Sequence, residues 1–198
     1  MIKLVIFDAY GVTLTGGFPL TMKALAQRFN RNWEDLQNIF YTKYFNQAAE
    51  RKITQQQAWE LAIKETKLKI SIKEIKEIHY SFMNINKDII PVINKVKKDN
   101  KIAILLTKNT REQHNDVNKK LNFTKYFDDV INTWELNLPK ASKETIKYVL
   151  KKFNVKSGET IYIDDQENNL QEAKKLGVHT IFYKNLEQFK KEFDTLYM

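Results

Sequence analysis

The chain has 198 residues, 42% of them hydrophobic and 12% aromatic, which suffices for the core of one medium domain and excludes a disordered chain. It contains no cysteine, so disulfides and thiolate chemistry are excluded, and no apolar run is long enough to cross a bilayer. The net charge of +9 comes from basic residues spread along the chain beside acidic ones, which argues against a nucleic-acid interface and for a solvated surface that steers anionic substrates.

The first predicted element is a buried strand over residues 4–7, which leads directly into Asp8. No basic segment followed by a long apolar stretch comes before this strand, so we expect no secretory signal. Together with the missing cysteines, this predicts a cytoplasmic protein without a membrane partner.

Residues 19–84 carry no strand signal, and the spacing of their apolar residues predicts four helices. The third predicted helix begins with Thr54 and Gln57, and the fourth begins with Ser71 and Glu74. Both pairs have the spacing of a capping box, in which two side chains bond each other's backbone amides.

Three large side chains of this helical stretch are predicted to pack in its core. Trp33 and Trp59 are expected to anchor helix packing, and His79 lies on the apolar face of the fourth predicted helix. We therefore interpret His79 as a packing residue and not as a metal ligand.

From residue 88 onward, predicted helices alternate with apolar runs at residues 102–106, 130–131, 161–163 and 180–182. Alternation of this kind is typical of right-handed crossovers and a parallel sheet. The predicted fold class is α/β, a doubly wound (Rossmann-like) parallel sheet core with an inserted α-helical cap.

The predicted core comprises residues 1–15 and 86–198, and the predicted cap comprises residues 16–85. Gly16, Gly17 and residues 84–87 are the expected hinges between them.

Polar residues follow four of the predicted strands: Asp8, Thr107, Lys140, Asp164 and Asp165. Open α/β sheets place their ligands beyond the carboxyl ends of the strands, so these side chains are expected to share one crevice. Three neighbouring carboxylates repel one another unless a cation lies among them, and Mg²⁺ prefers such oxygen ligands. This combination predicts a phosphate-handling or carboxylate-nucleophile site.

Four motifs, in this order and spacing, resemble those of the haloacid dehalogenase-like hydrolase superfamily: FDAYGV (7–12), LLTKN (105–109), PKASKETI (139–146) and YIDDQENNLQEAKKLGV (162–178). The helical stretch between the first two is similar to the four-helix cap of one large subgroup. The resemblance thus covers almost the entire chain.

The resemblance implies a covalent aspartyl intermediate on Asp8 and a small phosphorylated or other anionic substrate. It implies that Mg²⁺ is held by Asp8, the backbone carbonyl of Tyr10 and Asp165, with Asp164 assisting through a water. Thr107 and Lys140 would bind the transferring group.

Further residues are assigned to the substrate or to the loop around it by the same resemblance. Asn109 of LLTKN, together with Arg51 and Lys52 in the cap turn, are candidate substrate-binding residues, although exposed basic residues between helices also explain the last two. Asn169 matches a position that supports the acidic loop.

Tyr10 departs from the pattern of the family's phosphatases, which carry a second aspartate two residues after the nucleophile. That aspartate protonates the leaving oxygen and activates water, which is help worth roughly 10²–10⁴-fold. We therefore predict a magnesium-dependent phosphatase that is slow.

DAYG also resembles the 2-haloacid dehalogenases, where halide leaves without a proton, although those enzymes use no metal and lack the paired acids. A third interpretation is a catalytically weakened member of the family that binds a phosphorylated ligand or a protein partner.

Overall fold

The computed structural model describes residues 1–197, which divide into two compact units. The first, called here the α/β unit, comprises Met1–Leu14, Ile85–Lys108 and the residues from Asn122 onward. The second, called the helical unit, comprises Thr15–Asn84 and Asn109–Leu121.

The strands of the described chain are β1 (Leu4–Asp8), β2 (Leu14–Thr15), β3 (Asn84–Ile85), β4 (Ile102–Thr107), β5 (Asp129–Asn132), β6 (Thr160–Asp164) and β7 (His179–Phe182). The α-helices are α1 (Phe18–Phe29), α2 (Trp33–Gln37), α3 (Asn46–Ala49), α4 (Gln55–Thr66), α5 (Ile72–Ser81), α6 (Ile90–Lys98), α7 (Arg111–Leu121), α8 (Thr133–Leu136), α9 (Lys143–Lys152), α10 (Glu167–Lys175) and α11 (Leu186–Tyr197). A π-helix (Asn38–Phe45) joins α2 to α3, and 3₁₀ turns lie at Phe123–Tyr126 and Ser157–Glu159.

The α/β unit contains a five-stranded sheet in the order β5-β4-β1-β6-β7, in which every neighbouring pair is parallel. Its strands coincide with the predicted apolar runs, and the predicted doubly wound α/β class is confirmed. β1 lies at the centre, with β4 on one side and β6 on the other. Ligands of open α/β sheets bind at such a reversal of strand order.

Strand register sets which residues end level with one another. Asp8 pairs with Leu106 of β4, and Phe7 pairs with Ile163 of β6, so Asp8 and Asp164 are level across the sheet. Because both strands end here, their acidic residues lie together at the carboxyl edge.

The helical unit is built around a buried aromatic cluster. Phe18, Phe40 and Trp59 are almost fully buried within it, and Trp33 packs against it. The two tryptophans thus anchor helix packing, as predicted.

The second predicted helix rests on the helical spacing of Leu36, Ile39, Phe40 and Tyr44. It is only partly right, because Asn38–Phe45 form the π-helix. In a π-helix the hydrogen bonds join residues five apart, and the wider turn brings Phe40 and Phe45 to the core together.

The two predicted capping boxes have different outcomes. At α4, the side chains of Thr54 and Gln57 bond each other's backbone amides, as predicted. At α5, Ser71 accepts from the Glu74 amide, but the Glu74 carboxylate bonds Arg28 at 2.6 Å. The reciprocal box predicted there was wrong because a cation on α1 competes for the same carboxylate.

The helical unit also includes α7, which lies outside the predicted residues 16–85. The chain therefore crosses between the units near Leu14, Asn84, Lys108 and Leu121. The role of the helical unit as a cap stays a prediction. Over residues 1–197, no helix is both long and apolar enough to cross a membrane.

Candidate active site

Asp8 ends β1 and begins a compact turn that fixes its position. The Asp8 carbonyl accepts a hydrogen bond from the hydroxyl of Thr13 at 2.7 Å, and the amide of Leu14 donates to the Ala9 carbonyl at 2.6 Å. The Asp8 residue is only 5% exposed. A buried carboxylate needs a partner because burial without compensation is costly.

Lys140 supplies that partner. Its ammonium group contacts the Asp8 carboxylate and lies 2.7 Å from Asp164 Oδ2, and the side chain is 5% exposed. Two contacts hold the turn that carries Lys140. The Thr145 hydroxyl donates to the Pro139 carbonyl at 2.7 Å, and the Ser142 side chain caps the start of α9. Residues separated by more than a hundred positions are thus joined in one buried ion pair.

Asp164 is fully buried, and both of its carboxylate oxygens accept several hydrogen bonds. Tyr162 donates its hydroxyl to Oδ2 at 2.9 Å, the Gln166 amide donates to Oδ1 at 2.8 Å, and Asn169 contacts both oxygens. Asn169 therefore makes the loop contact that the resemblance assigned to its position. With the Lys140 contact, these donors hold Asp164 in a fixed orientation.

Asp165 differs from its neighbour because one of its oxygens has acceptor capacity left. Its Oδ1 is buried and accepts no hydrogen bond within residues 1–197. Gly11 makes room for this carboxylate: it adopts φ +91°, and a Cβ added there would overlap Asp165 Oδ2. Only glycine combines that backbone conformation with so close an approach.

The three acids form one cluster. One carboxylate oxygen from each of Asp8, Asp164 and Asp165 lies within 4.8 Å of the others. Burial raises the pKa of Asp8 to about 8, with Lys140 opposing the rise and the charge of Asp164 adding to it. Burial likewise raises the pKa of Asp165 to about 6, with Asp164 adding and Lys140 opposing.

Lys140 stays charged in this environment. Burial alone would lower the pKa of Lys140, but the negative charges of Asp8 and Asp164 raise it well above its usual value. With three acidic groups around one ammonium, ionisation of all three leaves the cluster with an excess of negative charge.

These residues fit a hard divalent cation. Asp165 Oδ1 is a buried acceptor with no donor among the described residues, and carboxylate oxygens are the ligands Mg²⁺ prefers. A cation bound there would also oppose the burial and the carboxylate repulsion that together raise the pKa values of Asp8 and Asp165.

Thr107 lies at the end of β4, one residue beyond the position level with Asp8. Its side chain is buried. Tyr10 is two residues beyond Asp8, in the same turn as Gly11, and is half-buried. Their assignments to the transferring group and to the metal stay predictions.

The remaining predicted substrate residues belong to the helical unit. Arg51 and Lys52 lie in the turn between α3 and α4, where both are exposed and Lys52 pairs with Glu50 at 2.8 Å. Asn109 is buried just before α7. Their contact with substrate stays a prediction.

Two features of the site were missed from the sequence. Tyr162 lies inside the predicted apolar run at residues 161–163, but its hydroxyl donates to Asp164. Gly11 belongs to the FDAYGV motif, and its close approach to Asp165 shapes the acidic cluster. A tyrosine two residues before a strand-end aspartate on the same face is the signal that would have indicated the first.

A family model for haloacid dehalogenase-like hydrolases matches residues 5–183, which is most of the chain. The chain belongs to the haloacid dehalogenase-like hydrolase family. The resemblance of its four motifs is thereby confirmed at the level of the family.

Solved structures of this family have the same fold. An HAD family enzyme from Bacteroides thetaiotaomicron, in complex with magnesium and inorganic phosphate, superposes with a TM-score of 0.75 at 21% identity, covering 93% of this chain and 95% of that one. The L-2-haloacid dehalogenase from Xanthobacter autotrophicus, with chloropropionic acid covalently bound, gives 0.69 at 15% identity, covering 98% and 83%. At these identities the similarity concerns the fold.

A curated relative matches over a shorter stretch. Over 63 residues the chain is 38% identical to the glyceraldehyde 3-phosphate phosphatase of Methanocaldococcus jannaschii, which is 31% of this chain. The match spans 28% of that phosphatase.

Proposed function

We propose that this hydrolase removes a phosphoryl group from a small substrate in a magnesium-dependent reaction, through a phosphorylated Asp8. The observation that carries the proposal is the buried contact of Asp8 with Lys140 beside two further carboxylates. A dehalogenase that works without a cation has no need of this acidic excess, which would repel an anionic substrate. The similarity to a phosphatase over 63 residues points the same way.

In the proposed reaction, Asp8 is the nucleophile. One carboxylate oxygen attacks the phosphorus, and the bond from phosphorus to the leaving oxygen breaks, with that oxygen taking a proton from solvent. Water then attacks the same phosphorus, the bond from phosphorus to Asp8 breaks, and the protons of the water pass to the released phosphate and to solvent. A carboxylate performs this role when it is positioned in line and the charge of the phosphoryl oxygens is neutralised.

The other residues neutralise the charge of the phosphoryl group and orient it. Lys140 contacts Asp8 directly and supplies a fixed positive charge to the phosphoryl group, while Thr107 donates its hydroxyl to another phosphoryl oxygen. Asp8, Asp165 and the Tyr10 carbonyl would hold Mg²⁺, with Asp164 assisting through a water. Magnesium, when bound, offsets the charge of the carboxylates and of the phosphoryl oxygens.

The proposal is tested by a panel of phosphorylated metabolites and one aryl phosphate, each with and without Mg²⁺. We expect phosphate release that requires Mg²⁺, and Asp8→Asn should lower it by on the order of 10³-fold or more because the nucleophile is lost. Asp129→Asn, which alters a strand aspartate paired with Lys152, is the matched control and should keep the activity. Metal-independent release, or full activity in Asp8→Asn, would contradict the proposal.

One observation favours a second function, dehalogenation of a 2-haloacid. Tyr10 replaces the acid that protonates an oxygen leaving group, and halide needs no proton. Release of halide from a 2-haloacid without metal would establish this function in place of the first. Binding of phosphate without turnover of any substrate would instead indicate the third interpretation, a ligand- or partner-binding member.

A further inference from the structure

The loop that follows Thr107 is short and ends in a residue of the helical unit. The chain leaves the α/β unit after Lys108, and Thr110 already belongs to the helical unit. Only Lys108 and Asn109 separate Thr107 from Thr110, so the position of Thr110 restricts the backbone of Thr107.

Thr110 is fixed in two ways. Its hydroxyl accepts the amide of Gln113 at 3.1 Å, which caps the start of α7, and it donates to Oε1 of Gln55 at the start of α4. Gln55 and Thr110 are 4% and 3% exposed. A hydrogen bond between two buried side chains is costly to break because each group is left without water.

Gln55 reaches α7 a second time through Tyr80. Its amide nitrogen donates to the Tyr80 hydroxyl at 3.3 Å, and that hydroxyl donates to Asp116 Oδ2 at 2.9 Å. Lys76 adds ion pairs to Glu112 at 2.5 Å and to Asp116 at 3.4 Å. Helices α4 and α5 thus hold α7 at Thr110, the residue that precedes it, and again further along.

Both polar ends of the Gln55 side chain are used in this network. An apolar residue would fill the same buried space without hydrogen bonds, so packing alone does not require an amide here. The structure therefore indicates that Gln55 holds the start of α7 in one place.

We propose that Gln55 is a positioning residue that acts through Thr110 on the loop from Thr107 to Asn109. This inference rests on the proposed function, in which Thr107 binds the transferring phosphoryl group. Gln55 itself touches neither substrate nor metal in this role. Loss of the bond to Thr110 loosens the loop and misplaces the Thr107 hydroxyl.

The test uses Gln55→Leu and Thr110→Val, which each remove one partner of the bond while keeping similar volume. Thr110→Ser retains the hydroxyl and should behave as the wild type. Thr66→Val is the matched control, because Thr66 is equally buried in the helical unit but its hydroxyl bonds only carbonyls of its own helix.

Two readouts are compared in the full chain. Hydrogen exchange of the amides of residues 107–110, followed by mass spectrometry, should become several-fold faster in both variants. The kcat/KM for an aryl phosphate with Mg²⁺ should fall about 10-fold, and the double variant should lose no more than either single one.

The outcomes separate the inference from the function on which it rests. If the wild type has no magnesium-dependent turnover, the proposed function fails, and the exchange rates alone decide whether Gln55 fixes the loop. If the wild type is active but exchange or kcat/KM matches that of Thr66→Val, the inference is overturned and the proposed function stands. Should Gln55→Leu not fold, the contrast of Thr110→Val with Thr110→Ser decides in the same way.

Discussion

Asp164 and Asp165 are neighbours in the chain, but their surroundings give them different roles. Lys140, Tyr162 and Asn169 all donate to Asp164, which is fully buried. Asp165 keeps a buried oxygen without a donor among residues 1–197. We therefore infer that Asp165 is the direct metal ligand of the pair, while Asp164 mainly orients Lys140.

Another single residue, Gly11, determines where the Asp165 carboxylate can lie. We expect Gly11→Ala to lower the free energy of unfolding by about 2 kcal/mol or more, since φ +91° and the overlap with Asp165 both oppose a side chain. It should also weaken Mg²⁺ binding, measured by isothermal titration calorimetry. Gly158→Ala, where a Cβ meets nothing within 4 Å, is the control and should leave Mg²⁺ affinity unchanged. Equal Mg²⁺ affinity in both variants would refute this role of Gly11.

In the proposed reaction, Tyr10 stands where an acid would protonate the leaving group. A phenol of ordinary pKa near 10 donates a proton but returns one poorly, so we expect Tyr10→Asp to accelerate aryl-phosphate hydrolysis, by up to roughly 10²-fold. The measurement is kcat with Mg²⁺ at neutral pH. An unchanged or lower kcat in a folded variant would show that the missing acid does not limit the rate.

At the scale of elements, α5 brings a histidine into the core of the helical unit. His79 is fully buried, its Nδ1 lies 2.9 Å from the Thr21 hydroxyl, and its ring centroid is 4.5 Å from that of Phe18. This agrees with the interpretation of His79 as a packing residue. Burial lowers the pKa of His79 to about 3.

That lowered pKa makes the helical unit sensitive to acid. The unfolded state, with a pKa near 6.5, binds the proton that the folded state excludes, so the stabilisation present above pH 6.5 is lost as pH falls toward 3. Between pH 7.5 and 5 the wild type should lose about 2 kcal/mol of unfolding free energy through this residue. In urea unfolding, His79→Phe should lose about 2 kcal/mol less unfolding free energy than the wild type over the same pH interval. The same pH dependence in both proteins would contradict the assignment.

Some elements could be predicted from local sequence and others could not. The α4 capping box depends on Thr54 and Gln57 alone, so the spacing of these two residues is sufficient to predict it. The box at α5 failed because Arg28, 46 positions from Glu74, competes for the carboxylate. The π-helix is also a tertiary effect, since it brings Phe40 and Phe45 into a core that local periodicity does not describe.

At the scale of the whole molecule, the sheet and the acidic cluster could be predicted because buried parallel strands are continuous apolar runs that end at one edge. The grouping of α7 with the helical unit could not be predicted. It depends on side-chain bonds such as those of Gln55 with Thr110 and Tyr80 with Asp116, which join distant parts of the chain.

The role proposed for Asp8 is to carry the phosphoryl group between substrate and water. Its most direct test is mass spectrometry of the protein quenched in acid during turnover of an aryl phosphate with Mg²⁺. We predict one added phosphoryl group on the peptide that contains Asp8, and none without Mg²⁺ or in Asp8→Asn. Steady release of phosphate with Asp8 unmodified at every quench time, and undiminished in Asp8→Asn, would contradict the account.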